Sequence, residues 1–464
     1  MATKKSTTRS KARRQTSSTR SSPVEAKIAT TSAEHRPSHL VLFRRPSEAN
    51  LTLCERMGLK ASNGVSSIRA GVSLMSHGRS GEAPSRMYSN LGLMVTDLDD
   101  NEADVYSNAD EVEMVVRNEL RSLPDPTVEI EETPAGNDTL IAYLHGMHDA
   151  TAAALRFAGE SSVGDAVMLS SVSALPPAAL SNYPLGLIGM HEGYSRFTGA
   201  NVTVAVLDTG IDLQHADFAG RVSANSNAVS FVPNESVQDG HGHGTHCAGT
   251  VAGPMQSAAN RRYGVAPDVN ILIGKVLSNA GRGHDDQIID GIDWAATSGA
   301  RVISLSLGSR RAAGEPASVL YERIASRLLA SDNGALLIAA AGNGSARPHF
   351  IAPVENPAAA RSIMAVAAVD RQGRVWNSSS AQRDAIGEVN VAAPGVLVFS
   401  SWAGGGYQSI SGTSMATPHV AGVAALMLEQ DPSLTPQALW QRLEQSASTA
   451  GEQTDVGYGI VQAP

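Results

Sequence analysis

Two cysteines, Cys54 and Cys247, are all that the 464 residues contain, so number alone excludes a disulfide framework. Aromatic residues make up only 4% of the chain, while 43 glycines and frequent alanines supply small side chains. That balance suits helices packed closely on a sheet better than a core built on large rings. No run of about 18 apolar residues occurs, the length a membrane-spanning helix needs, so no membrane partner is expected. Nor does an apolar stretch follow the basic start Met1-Ala-Thr-Lys-Lys5, as a standard secretory signal requires. With the scarcity of cysteine, this leans the expected location towards the cytoplasm over non-standard export. An Arg/Ser-rich, acid-poor start also matches an organelle transit peptide, and that alternative stays open.

Acidic charge dominates, with a net charge of −9, but it is unevenly spread. Residues 1–50 hold 11 Lys and Arg against 3 Asp and Glu, and the remainder holds 25 against 42. The pattern is a basic, solvated tail on an acidic globular body. No aromatic interleaving or nucleic-acid module accompanies the basic residues, so nucleic acid is not an expected partner. Residues 1–86, rich in Ser, Thr, Arg and Pro without periodicity, are expected to be a disordered tail. Residues 87–178 read as a small α+β module. It comprises a strand at 90–98, a helix at 110–120 with Val112, Val115, Val116 and Leu120 on one face, a strand at 140–144 and a helix at 149–157.

Residues 179–464 alternate short apolar runs with small-residue helices. The runs at 202–207, 269–276, 302–307 and 335–341 are nearly continuous in apolar residues, as strands buried on both faces are. Helices are expected at 287–298 and 317–330. The expected fold class is α/β, a three-layer sandwich with a mostly parallel sheet. In such folds functional groups gather beyond the carboxyl ends of the strands.

Chemistry-bearing residues stand at those exits. Leu207-Asp208-Thr-Gly-Ile-Asp212 puts a carboxylate after the first run, and Asp239-Gly-His-Gly-His243-Gly-Thr-His246 leads an imidazole into a helix. Ala341-Gly-Asn343-Gly344 offers an amide, and Ser411-Gly-Thr-Ser414-Met a hydroxyl where another helix opens. A hydroxyl is a poor nucleophile unless a base takes its proton, and imidazole, with an ordinary pKa of about 6.5, suits that task. A buried carboxylate fixes the imidazole tautomer and stabilises the imidazolium. Donors for a developing oxyanion are then available from the Asn343 amide and the Ser414 backbone N–H at a helix N-terminus. Taken singly, each residue has an ordinary structural reading: a turn aspartate, a loop histidine, an N-cap serine. His241, His246 and Cys247 beside His243 read as loop, structural and packing residues.

The four motifs in this order resemble the subtilisin-like serine protease family over roughly residues 180–464; the chain order Asp, His, Ser is subtilisin's own. The resemblance implies a serine endopeptidase that hydrolyses peptide bonds through an acyl-enzyme. Asp208, His243 and Ser414 would be its triad and Asn343 its oxyanion residue. It also implies that Ser306-Leu307-Gly308 pairs with extended substrate as an added strand, Ser309 standing where relatives commonly have glycine. Ala340 and Gly342 would wall the specificity pocket, and Glu355 would lie at its floor and favour Lys or Arg there. The plainer reading of Glu355 is an exposed loop glutamate. In position and pattern the 87–178 module resembles the family's inhibitory prodomain, which implies a zymogen inhibited by its own prodomain and self-cleaved within 160–183.

Protein or peptide substrates are the expected partners, with no cofactor and no metal among the site residues. Asp217 matches a family calcium ligand in position, but the partner loop at 254–263 does not resemble the usual ligand sequence, so calcium is not assigned. Three other readings compete: a non-catalytic binding protein on a decayed protease scaffold, a carboxyl-type serine peptidase with glutamate as base, and an interaction role for the basic tail. The intact four residues disfavour the first, and Gly-His243-Gly-Thr-His246 disfavours the second.

Overall fold

The computed structural model describes residues 37–44, 54, 60–61, 72–76, 85–88, 91–123, 183–190 and 195–464. The N-terminal part of these forms an antiparallel sheet of β1 (His39–Phe43), β2 (Lys60–Ala61), β3 (Val72–Ser76), β4 (Ser85–Tyr88), β5 (Leu93–Thr96) and β6 (Val112–Arg117). The strand order is β2-β3-β4-β5-β1-β6. All five residues of β1 are buried, and they alternate as a strand must. Leu40 and Leu42 enter the main core, while Val41 and Phe43 pack with Met87, Met94 and Val112 in a smaller cluster. Between β5 and β6 runs helix α1 (Asp100–Ser107), opened by a reciprocal capping box between Asp99 and Glu102.

Two expectations fail here. The stretch 1–86 is not wholly a disordered tail, because β1 to β3 and the start of β4 lie within it; apolar His39-Leu-Val-Leu-Phe43 buries itself by pairing with β5 and β6. The helix expected at 110–120 is instead strand β6. Its β-branched Val112, Val115 and Val116 satisfy a helical face, yet such residues fit a pleated surface better, and pairing with β1 decides the outcome. The strand at 140–144, the helix at 149–157 and the boundary at 178/179 lie outside the described residues, as does the 160–183 processing window apart from Tyr183.

The larger part is built on a seven-stranded parallel sheet. Its strands are β8 (Thr203–Asp208), β9 (Ala228–Ser230), β10 (Asn270–Lys275), β12 (Val302–Leu305), β13 (Leu336–Ala340), β14 (Met364–Val369) and β15 (Val391–Pro394), in the order β15-β14-β13-β12-β8-β10-β9. Every residue of β12, β13 and β14 is buried, the signature of a sheet covered on both faces. The covering helices include α2 (His243–Ala252), α3 (Asp285–Thr297), α4 (Val319–Leu329) and α5 (Thr413–Gln430). Buried from Thr413 to Leu428, α5 packs along β12 to β15 and against α2. The result is the expected three-layer α/β sandwich. Outside the sheet, β16 (Val398–Trp402) and β17 (Gly406–Ile410) form a hairpin, and β7 (Leu120–Ser122) pairs antiparallel with β11 (Arg282–His284).

The antiparallel sheet lies against α3 and α4. Arg86 on β4 pairs with Asp286 at 2.6 Å and Asp290 at 2.7 Å, and the Tyr88 hydroxyl donates to Asp290 at 2.7 Å. From α4, Arg327 donates to the carbonyls of Phe43 and Leu91.

Small residues set the helix-to-sheet distance. A Cβ built on Gly291 of α3 would meet Val276 Cγ1 at 2.5 Å and Leu207 Cδ1 at 3.3 Å. Gly291→Ala is therefore expected to destabilise the protein by about 1–3 kcal/mol through overpacking. Chemical denaturation checks this, and an unchanged midpoint would contradict the close packing.

Candidate active site

The carboxyl ends of β8, β12 and β13 face the N-termini of α2 and α5. Asp208, the last residue of β8, is 1% exposed. Its Oδ1 accepts from His243 Nδ1–H at 2.8 Å and from the Thr209 N–H at 2.7 Å. His243 is the first residue of α2, and the turn that presents it is built on Asp239. One Asp239 oxygen accepts from the N–H groups of His241 and Gly242 and from the Thr209 hydroxyl, at 2.9, 2.8 and 3.0 Å. The other accepts from the N–H and hydroxyl of Thr245, at 2.9 and 2.7 Å. Gly242 is required by its φ of +105° and because a Cβ there would meet the Trp402 ring at 2.3 Å. Behind β8, the buried Lys275 ammonium donates to the Thr209 carbonyl at 2.6 Å and to Asn279 Oδ1 at 2.8 Å. Burial opposes charge on the His243 ring, but the adjacent Asp208 carboxylate outweighs it and holds the pKa well above 6.5.

Ser414 is the second residue of α5. Pro418, one turn on, has no N–H to give the Ser414 carbonyl, so that oxygen takes other donors. The Ser306 hydroxyl supplies one at 2.8 Å and the Cys247 thiol another at 3.6 Å. Cys247 Sγ is also 3.8 Å from His243 Nδ1, so one thiol spans the two helix starts. The Ser414 hydroxyl donates to the Ser306 carbonyl at 3.4 Å and not to the imidazole. Asn343 lies beyond β13, where its Oδ1 accepts from the N–H and hydroxyl of Thr413 at 3.0 and 2.8 Å. This fixes the amide with Nδ2 on the opposite side, 3.4 Å from a Cβ built on Gly412.

The remaining expected residues are all buried, and one of them, Gly308, pairs with the antiparallel unit. Gly308 exchanges both backbone hydrogen bonds with Ser122, at 2.9 and 3.1 Å, and the Leu123 N–H donates to the Gly281 carbonyl at 2.9 Å. Strand β7 therefore lies between β11 and the 306–308 segment as an inserted strand. Ser306, Leu307, Ala340 and Gly342 are buried. Glu355 is only 4% exposed, which overturns the exposed-loop reading. Its carboxylate sits under the Gly342–Gly344 turn: a Cβ on Gly342 would meet Glu355 Cδ at 2.3 Å, and one on Gly344 would lie 3.2 Å from Oε1. Burial pushes the Glu355 pKa up to about 7 against the opposing pull of Arg310 and the Asn343 and Gly344 amides.

The neighbouring histidines differ from His243. His246 donates from Nε2 to the Val398 carbonyl at 2.9 Å, and burial lowers its pKa to about 3, so it stays neutral and ties α2 to β16. His241 is exposed and meets the His243 ring edge-on at 6.2 Å. Donor atoms of Asp208, His243 and Cys247 fall within 4.8 Å of one another. A metal held there would compete with the Asp208–His243 bond, and burial raises the thiol pKa against it.

Comparison with known proteins fixes the class: this is a serine-type endopeptidase. Residues 199–459 match the subtilase family, and the chain belongs to it. It is 40% identical over 267 residues to subtilisin BL of Lederbergia lenta, covering 57% of this chain and 90% of that one. It is 36% identical over 380 residues to alkaline elastase YaB of Bacillus sp. (strain YaB), covering 80% and 87%. The crystal structure of a cold adapted subtilisin-like serine proteinase aligns with a TM-score of 0.48 at 34% identity, over 58% of this chain and 92% of its own. The relatives are secreted extracellular subtilisins, which overturns the lean towards the cytoplasm drawn from the first residues and the cysteine count. No helix among the described residues is long and apolar enough to cross a membrane.

Asp217 does not fit a calcium ion. Its Oδ1 accepts from the Ala258 N–H at 2.8 Å, and its Oδ2 accepts from the hydroxyls of Tyr263 and Tyr407 at 2.6 and 2.9 Å. Both oxygens thus serve hydrogen-bond donors from the 254–263 loop and β17, where calcium would need further oxygen ligands. Tyr263→Phe is expected to cost about 1.5–3 kcal/mol, the worth of a hydrogen bond to a charged group. Millimolar calcium should not restore the melting temperature; recovery of stability on adding calcium would show that Asp217 holds the ion.

Proposed function

We propose that Ser414 is the nucleophile of this endopeptidase, His243 its general base and Asp208 the group that orients and stabilises the imidazolium. In the acylation step Ser414 Oγ bonds to the scissile carbonyl carbon while His243 Nε2 takes the hydroxyl proton. The carbonyl oxygen, now negative, accepts hydrogen bonds from Asn343 Nδ2 and the Ser414 N–H. His243 then gives its proton to the departing amine, and water repeats the sequence on the acyl-enzyme. The observation that carries this reading is the buried 2.8 Å bond between Asp208 and His243, with Cys247 linking that ring to the Ser414 carbonyl. Ser414→Ala should abolish both hydrolysis and labelling by a fluorophosphonate while leaving the fold intact by circular dichroism. Retained labelling would refute the assignment.

The chain is also a zymogen in this reading, its antiparallel unit acting as an intramolecular inhibitor. Support comes from β7, which occupies the groove as an added strand paired with β11 and Gly308. Release would follow self-cleavage between Leu123 and Tyr183, a span that includes the 160–183 window.

Glu355 gives the pocket a preference for Lys or Arg, since burial disfavours its charged form even beside Arg310, and a basic side chain brought next to it relieves that cost. A carboxyl with a pKa of about 7 is mostly neutral at pH 6 and mostly charged at pH 8. The ratio of kcat/KM for Arg over Phe at the cleaved position should therefore rise across that interval in the wild type and stay flat in Glu355→Gln. A ratio independent of pH, or no advantage for Arg or Lys at pH 8, would refute the assignment.

A further inference from the structure

Strand β7 carries Arg121 into a second acidic pocket, built on Asp285. Arg121 is 4% exposed and Asp285, at the start of α3, is 1% exposed. The guanidinium meets the carboxylate in a fork: Nε to Oδ1 at 2.7 Å and Nη2 to Oδ2 at 3.0 Å. Its Nη1 donates to Ser309 Oγ at 2.5 Å, and the fully buried Tyr321 lies with its ring centroid 5.7 Å from the guanidinium carbon. The Tyr321 hydroxyl donates to Asp285 Oδ1 at 2.8 Å. Asp285, Ser309 and Tyr321 all belong to the catalytic part, so the pocket persists when β7 leaves. Its buried carboxylate then keeps the phenol but loses its cation.

The register tells which substrate residue would enter. Ser122 lies opposite Gly308 in an antiparallel pairing, so each step forward along the inserted strand is one step back along 306–308. Two residues past Ser122, a peptide in this register stands opposite Ser306, whose carbonyl is 3.4 Å from Ser414 Oγ. That residue presents its carbonyl to the nucleophile, and the one in the Arg121 position is three residues before it.

We propose that Asp285, with Tyr321 and Ser309, selects arginine at the fourth residue on the acyl side of the cleaved bond, an inference that rests on the endopeptidase reading above. Backbone pairing with β11 and Gly308 binds any extended peptide, and the acidic pocket reads its side chain. Arginine fits better than lysine, because only a planar guanidinium places two parallel N–H groups on one carboxylate. With Glu355 at the cleaved residue, the substrate class is a peptide with basic residues at the first and fourth positions.

The test uses the mature enzyme and chromogenic peptides Xaa-Ser-Leu-Arg, with Xaa as Arg, Lys or Ala. Wild-type kcat/KM is expected to be at least tenfold higher for Arg than for Ala, with Lys between them. Asp285→Asn should reduce the Arg advantage to threefold or less while cleaving the Ala peptide within threefold of the wild type. Equal wild-type rates for Arg and Ala overturn the proposal, and would mean that Arg121 serves only to dock the inhibitory strand. An undiminished Arg preference in Asp285→Asn also overturns it. If Asp285→Asn loses the Ala peptide too, Tyr321→Phe decides: a preference unchanged there is contrary, and one reduced is supporting. Failure of the wild type to cleave any of the peptides would count against the endopeptidase reading instead.

Discussion

Everything at this site depends on one hydrogen bond, that between Asp208 and His243. Taking a carboxylate and an imidazole out of water is expensive, and the pair survives because surrounding donors are fixed before any substrate arrives. Thr209 gives its N–H to Asp208 and its hydroxyl to Asp239, while Lys275 holds the Thr209 carbonyl from behind. Asp239 in turn gathers the turn that aims His243. A buried sheet end thus sets the direction of the His243 ring. Pro418 plays a matching part on the other side: by withholding one helical donor, it leaves the Ser414 carbonyl to Ser306 and Cys247, which stitches α5 to β12 and α2.

Two more buried acids extend the same logic into the groove. Glu355 lies beneath the turn that bears Asn343, and Asp285 lies where β7 inserts. Each is a carboxylate whose burial is tolerable only with help from neighbours: backbone amides for Glu355, a phenol and the Arg121 guanidinium for Asp285. In the zymogen proposed above, the groove would hold β7 with the chemistry it would use on a substrate.

Much of this was visible in the sequence, and the misses have physical causes. The continuous apolar runs located β8, β10, β12 and β13 to within about two residues, because strands buried on both faces need no alternation and carry no other pattern. Asp208, His243, Asn343 and Ser414 stood out because each sits where a strand exits or a helix starts. Strand β1 was missed because its five residues lie amid a basic, Ser-rich stretch, and β6 was misread because valines at helical spacing also suit a strand. Asp239 offered no signal beyond opening the Gly-His motif. Arg121 and Asp285, 164 residues apart, had none at all. Their meeting is a property of the packed chain, as is the use of both Asp217 oxygens by Tyr263, Tyr407 and Ala258.

An NMR titration of the His243 ring nitrogens, in the wild type and in Asp208→Asn, tests the central interaction most directly. The imidazole should titrate above 6.5 in the wild type and at a distinctly lower pH once the carboxylate is gone. A wild-type midpoint at or below 6.5, or one that the substitution leaves in place, would contradict the account.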